Sequence, residues 1–119
     1  IDLADIGNGI KRIITVALAL EYVKPKIVLW DNIEISAHPG LLETTLSWLS
    51  SKDWQVFIAT HSIDVLYELP GVAYKDGQLI VLKKTHEDIL HYKILHMDEL
   101  EELIDKGVDP RKIMDVLEL

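Results

Sequence analysis

At 119 residues, 49% of them apolar and none a cysteine, the chain has material for one modest hydrophobic core and for neither a disulfide frame nor a thiolate metal site. Twelve basic against twenty acidic residues leave −8 at neutral pH, which argues against this chain gripping nucleic acid by itself. No apolar run approaches the ~20 residues a membrane helix needs, the apolar content with scarce Pro and Gly argues against a disordered chain, and the absence of cysteine fits a cytoplasmic protein.

Ile1–Asn8 reads as irregular, with Gly7-Asn8-Gly9 at its tip. Gly9 to about Val23 reads as a helix apolar nearly all round, hence mostly buried, and Pro25 ends it. A glycine-rich tip opening a helix gathers free N–H groups and the positive dipole end at one point, as a phosphate site requires. The plain alternative is an Asn-Gly turn before a helix. Ile27–Trp30 is an unbroken apolar run stopped by Asp31, the pattern of a strand buried on both faces. Pro39 opens a helix over about Gly40–Leu49, with Leu41, Leu42, Thr45, Leu46 and Leu49 inward, and Trp54–Thr60 is the next strand. A helical return of that length makes a right-handed βαβ unit and lays both strands parallel in one sheet. Asp31 and His61 then emerge at the carboxyl edge, where α/β folds place ligands. His61 to about Leu69 is a third helix, stopped by Pro70-Gly71.

From Val72 the character changes. Val72–Tyr74 and Gln78–Lys83 flank Lys75-Asp76-Gly77, a hairpin signal; Thr85–Asp88 is a polar turn and Ile89–Leu95 a further strand. Together they predict an antiparallel meander on the sheet edge. Asp98 with Glu101 reads as a capping box for a helix ending before Gly107. Asp109-Pro110 then starts a last short helix with Ile113, Met114 and Leu117 on one side. The whole reads as one α/β domain, residues 1–119, in which 1–70 carry the motifs and 71–119 the meander and two short helices. His86, His91 and His96 recur every five residues, a period that faces neither one helix side nor one strand side and so argues against a metal site.

The motifs carry a resemblance. Four apolar residues, then Asp31, Asn32, Ile33, Glu34 and Ala37-His38-Pro39, resemble the Walker B strand and following loop of ABC-type ATPases. They are most similar to the SMC/RecF/OLD-like branch of AAA-labelled ATP-binding proteins. Ala59-Thr60-His61-Ser62 resembles the switch-histidine strand end, and Asp5–Arg12 the signature loop in its Gly-x-Gly-x-x-Arg form. The three occur in the family's order. The resemblance implies a P-loop NTPase fold, a parallel sheet with helices on both faces, and ATP with Mg²⁺ as cofactors. It implies that Asp31 holds Mg²⁺ through water, that Asn32 and Glu34 occupy the slots of the two glutamates at the attacking water, and that His61 contacts the γ-phosphate. Gly7, Asn8, Gly9, Lys11 and Arg12 would close on the nucleotide of a second head, making a homodimer. Participation in nucleic-acid repair or defence, through other regions, follows only by analogy.

Asn32 departs from the pattern, because an amide cannot take a proton from water. The residues also admit simpler roles: Asp31 capping the next turn, Glu34 as a solvated loop carboxylate, His61 capping a helix with Ser62, and His38 opening the helix at Pro39. No Gly-x-x-x-x-Gly-Lys-[Ser/Thr] occurs, so the phosphate-cradling lobe is missing. The chain starts at Ile1 and reads as the C-terminal segment of such an ATPase, active as an ATP hydrolase only in the intact protein. The rival readings are an ATP-dependent dimerisation head that barely hydrolyses, and an unrelated Rossmann-like or receiver-like binding domain.

Overall fold

The computed structural model describes residues 3–35, 37–73 and 75–116. The element order is α1 (Leu3–Val23), β1 (Ile27–Asp31), α2 (Pro39–Ser50), β2 (Gln55–Ala59), α3 (Ile63–Val72), β3 (Gln78–Lys84), β4 (Leu90–His96), α4 (Met97–Asp105), a 3₁₀ turn (Pro110–Lys112) and α5 (Ile113–Val116). The protein is α/β, with a small parallel sheet and a separate antiparallel pair. It divides into two compact units, Ile1–Val65 and Leu66–Leu119.

In the first unit α1 starts at Leu3, not Gly9, and runs through the expected glycine tip. It stops where Pro25 forbids another turn: Lys24 turns left-handed (φ 50) and its N–H closes on the Leu20 carbonyl at 2.8 Å. Burial all round does not hold. Gly9 and Ile13 are buried, whereas Ile10, Ile14, Leu18 and Tyr22 form an exposed stripe at four-residue spacing. Strands β1 and β2 pair in parallel, from Ile27 opposite Gln55 to Asp31 opposite Ala59. Helix α2 supplies the crossover. Its cap is His38, whose Nδ1 accepts from the Leu41 N–H at 3.2 Å with Pro39 following, and it buries Leu42, Thr45, Leu46 and Leu49. Behind it the Trp48 and Trp54 rings meet edge to face at 5.6 Å. Lys52 lies 5.5 Å from the Trp48 centroid and pairs with Glu21 of α1.

Double-sided burial of β1 is overturned. Val28 and Trp30 are buried, but Ile27 and Leu29 are exposed, Leu29 at 79%, and Phe57 of β2 shares their face. An unalternating apolar run needs cover on both faces, and the described residues cover one.

Helix α3 begins two residues later than expected because Ser62, not His61, caps it: Ser62 Oγ accepts from the Asp64 N–H at 3.2 Å. It also passes through Pro70 instead of stopping there. A proline in the last turn forfeits one N–H and leaves the turn otherwise intact, as the Ala73 N–H bond to the Leu69 carbonyl at 2.8 Å attests.

In the second unit Val72 is helical, and Lys75–Gly77 link α3 to β3 instead of closing a hairpin. Gly77 is needed for a different reason: a Cβ there would lie 2.6 Å from the Ala73 carbonyl oxygen. The true hairpin turn is Thr85–Asp88, with Asp88 at φ 61, and it joins β3 to β4. These strands pair only with each other among the described residues, so the edge meander is a two-stranded sheet of its own. Its inner face, Val81 and Leu95, packs with Ile113 and Met114, flanked by Leu79 and Leu103.

The box that opens α4 lies two residues earlier than expected. His96 is the cap, and its N–H donates to the Glu99 carboxylate at 3.3 Å, displacing Asp98 and Glu101 from those roles. Asp109 caps the 3₁₀ turn as expected, accepting from the Arg111 N–H at 2.9 Å with Pro110 next. Tyr74 and Leu117 lie outside the described residues.

Candidate functional site

The site is built where β1 and β2 end together. The register that sets Asp31 opposite Ala59 brings His61, two residues on, to the same sheet edge. Both are exposed. Asp31 ends a strand covered on one face only, and pleat alternation puts its carboxylate on the open face with Ile27 and Leu29. An open groove of about 250 Å³ runs along the strand ends, lined by Leu29, Trp30, Asp31, Phe57, Ile58 and Ala59. Its floor is apolar and its one charged group is the Asp31 carboxylate.

Past Asp31 the chain turns sharply. Asn32 donates its backbone N–H to the Ala59 carbonyl at 2.9 Å, extending the sheet by one bond, and adopts φ 54. Asn enters that left-handed region more readily than most residues because it lacks bulk at Cβ and bonds locally. The Ile35 N–H then closes on the Asn32 carbonyl at 3.1 Å. Ile33, the apolar residue inside this polar turn, is fully buried.

Arg12 of α1 fastens the turn. Its Nη2 donates to the Ile33 carbonyl at 2.8 Å and also to the Ile35 carbonyl, bracketing Glu34. Glu34 is half-buried rather than a solvated loop carboxylate, and its Oε2 is buried with no hydrogen-bond partner among the described residues. Arg12 Nε is in the same condition. Two buried orphans of opposite kind, one donor on Arg12 and one acceptor on Glu34, are unusual and costly unless something polar joins them.

The glycine tip does not form. Gly7, Asn8 and Gly9 lie within α1, more than a turn past its start, where backbone N–H groups are spent on the helix itself. Gly9 is buried, while Asn8 and Lys11 are exposed. Arg12 is engaged with the β1 turn. The side chain of Asp5 lies outside the described residues. The structure thus brings together Asp31, Asn32, Glu34 and Arg12, sets His61 at the same edge, and leaves Gly7–Gly9 on the preceding helix. The Arg12 contact escaped sequence reasoning; its one trace was the apolar Ile33 amid Asp31, Asn32 and Glu34, a sign that the turn is held down from one side. Among the described residues no three His, Asp or Glu side chains are grouped to hold a metal ion, and no helix is long and apolar enough to cross a membrane.

No protein-family model matches the chain, and no solved structure matches it. Over 91 residues, 71% of this chain, it is 31% identical to a protein of Methanocaldococcus jannaschii described as "Uncharacterized protein MJECL11", 80% of which the match takes in. At that identity and coverage, the chain belongs to the same family as this archaeal protein.

Proposed function

We propose that this chain is the C-terminal part of an ABC/SMC-like P-loop ATPase, and that in the intact protein it couples ATP binding and hydrolysis to the dimerisation of two heads. The observation that carries the reading is the parallel β1–β2 register, with Asp31 and His61 at one carboxyl edge. The bare face of the same sheet adds support. A parallel pair open on one side is an incomplete layer, and a lobe bearing the phosphate loop is what the sequence lacks.

On this reading Asp31 is the group that would hold Mg²⁺ through water. Mg²⁺ demands six oxygens and keeps several waters, so one exposed carboxylate fits it only as part of a set completed by the other lobe. ATP supplies the phosphoryl group when bound. The chain's own residues position and polarise: Asn32 orients the attacking water without taking its proton, Glu34 offers the nearest carboxylate that can, and His61 donates toward phosphate from its ring N–H. Arg12 enters the site by holding the turn of Glu34, a role within one head that replaces direct nucleotide contact. Gly7, Asn8, Gly9 and Lys11 keep a part in this reading only as a helix surface offered to the second head.

Two measurements test it. The gene should encode Gly-x-x-x-x-Gly-Lys-[Ser/Thr] in the same or a partner polypeptide, and a gene context without one overturns the assignment. Calorimetry of the isolated chain with Mg-ATP should show no saturable heat; micromolar binding would mean a self-sufficient pocket and a different protein class.

A further inference from the structure

The second unit carries an apolar surface that the nucleotide reading does not use. Along β3 the residues Ile80 and Leu82 point away from the Val81–Leu95 core, and along β4 so do Leu90, Tyr92 and Ile94. Cross-strand register stacks them in rows, Ile80 beside Ile94 and Leu82 beside Tyr92, with Leu90 next to Lys84. All are exposed, Tyr92 at 67%. Polar residues close both ends of this ladder, Gln78 with His96 at one and Lys84 with Asp88 at the other, the last two paired at 3.1 Å. An apolar centre with polar ends is the anatomy of a docking surface rather than of a solvated sheet face.

We propose that this face binds a second copy of the same chain, two hairpins stacking into a four-stranded sandwich about a two-fold axis that lies between the sheets, perpendicular to the strands. Area favours this occupant. Five large side chains, from 43% exposed at Ile94 to 67% at Tyr92, present on the order of 600 Å² per chain, so pairing removes about 1,200 Å², the lower bound of specific stable interfaces. Symmetry favours it too. An axis midway between the two central rows sets Leu82 and Tyr92 of one chain over Ile80 and Ile94 of the other, and each Lys84 end over the other's Gln78–His96 end. The two central rows thus meet apolar to apolar, while in each end row Lys84 lies over Gln78 and Leu90 over His96. An interface at that lower bound forms a dimer in the micromolar range, independent of nucleotide. It stands or falls apart from the ATPase reading.

Sedimentation equilibrium of the chain, from low micromolar to a few hundred micromolar and without nucleotide, reads the outcome. The expected result is a mass rising from one chain to two and levelling there. Leu82→Lys and, separately, Tyr92→Glu should each weaken the dimer at least tenfold while leaving the far-ultraviolet circular dichroism unchanged, since both side chains lie outside the core. Leu29→Lys on the β1–β2 face should leave it intact. A chain monomeric throughout overturns the proposal. So does growth past two chains, which would mean edge-to-edge strand pairing, and so does a dimer abolished by Leu29→Lys but not by Leu82→Lys.

Discussion

The Arg12 guanidinium lies 2.8 Å from the carbonyl oxygen of Ile33, twenty-one residues away, and joins the first helix to the turn that follows the first strand. That bond, with its companion to Ile35, decides how Asn32 and Glu34 are presented. A charge-assisted bond to a half-buried guanidinium contributes about 1.5–3 kcal/mol. Arg12→Ala should therefore lower unfolding free energy by about 1–3 kcal/mol in urea titration, and amide exchange at Asn32–Ile35 should accelerate more than at Val28–Trp30. Arg12→Lys, whose ammonium ends short of the Nη2 position that makes both bonds, should recover only part of the protection. Equal exchange in wild type and Arg12→Ala would mean the turn holds itself.

Asn32 has a backbone reason for its identity. At φ 54 a glutamate costs about 1 kcal/mol relative to asparagine, whereas glycine is free of the penalty. Asn32→Gly should thus leave the melting temperature near wild type and Asn32→Glu should lower it. In an intact ATPase the same Asn32→Glu should raise turnover at least about tenfold despite that cost, because it restores a proton acceptor. On the same ATPase reading, Glu34→Gln should lower the turnover of the intact protein. Fast native turnover that Asn32→Glu leaves unchanged would move water activation to another group.

Helix α4 ends in a closed left-handed cap. The Gly107 N–H reaches the Ile104 carbonyl at 3.0 Å, the Val108 N–H reaches Leu103 at 2.9 Å, and Gly107 sits at φ 71. Any Cβ there is strained by the backbone although space is open around it. Gly107→Ala should destabilise by about 1 kcal/mol in chemical denaturation, and Gly71→Ala, inside α3 with nothing near it, should be neutral or stabilising.

Two carboxylates are held below their ordinary values, Glu21 chiefly by its hydrogen bond from Lys52 and Asp109 chiefly by its hydrogen bond from Arg111. A folded-state value below the unfolded one gives stability that is whole above the ordinary values, 4.5 and 3.8. That stability is lost as pH falls through the lower folded ones. Asp109→Asn keeps the cap but not the charge, so its melting temperature should fall slightly short of wild type at pH 7 and converge with it toward pH 2. Being at the surface, the difference should shrink in salt. A gap that widens with acid would reverse the sign and contradict the assignment.

Local patterns were legible wherever a residue's own backbone chemistry decides the outcome. Pro25 and Pro39 marked where α1 ends and α2 begins, His38 and Asp109 declared their caps, and the apolar runs at Ile27–Trp30 and Gln55–Ala59 announced two strands. The intervening helix was enough to make those strands parallel, since no shorter connection returns a chain in that sense. Hence Asp31 and His61 could be set at one edge from sequence alone. What the sequence could not decide was which neighbour each residue meets. Gly7-Asn8-Gly9 looked like a loop because glycine weakens a helix, yet α1 runs unbroken through it from Leu3 to Val23. Asp76-Gly77 looked like a hairpin, but Gly77 answers the close approach of the Ala73 carbonyl, a contact no spacing rule contains. Arg12 looked like a ligand for phosphate, and only the packing of Ile33 beneath the turn brings two carbonyls within reach of its guanidinium. Propensity and capping act within a few residues and are written in order along the chain; burial and hydrogen-bond partners arise from segments far apart in sequence and exist only once the chain has closed.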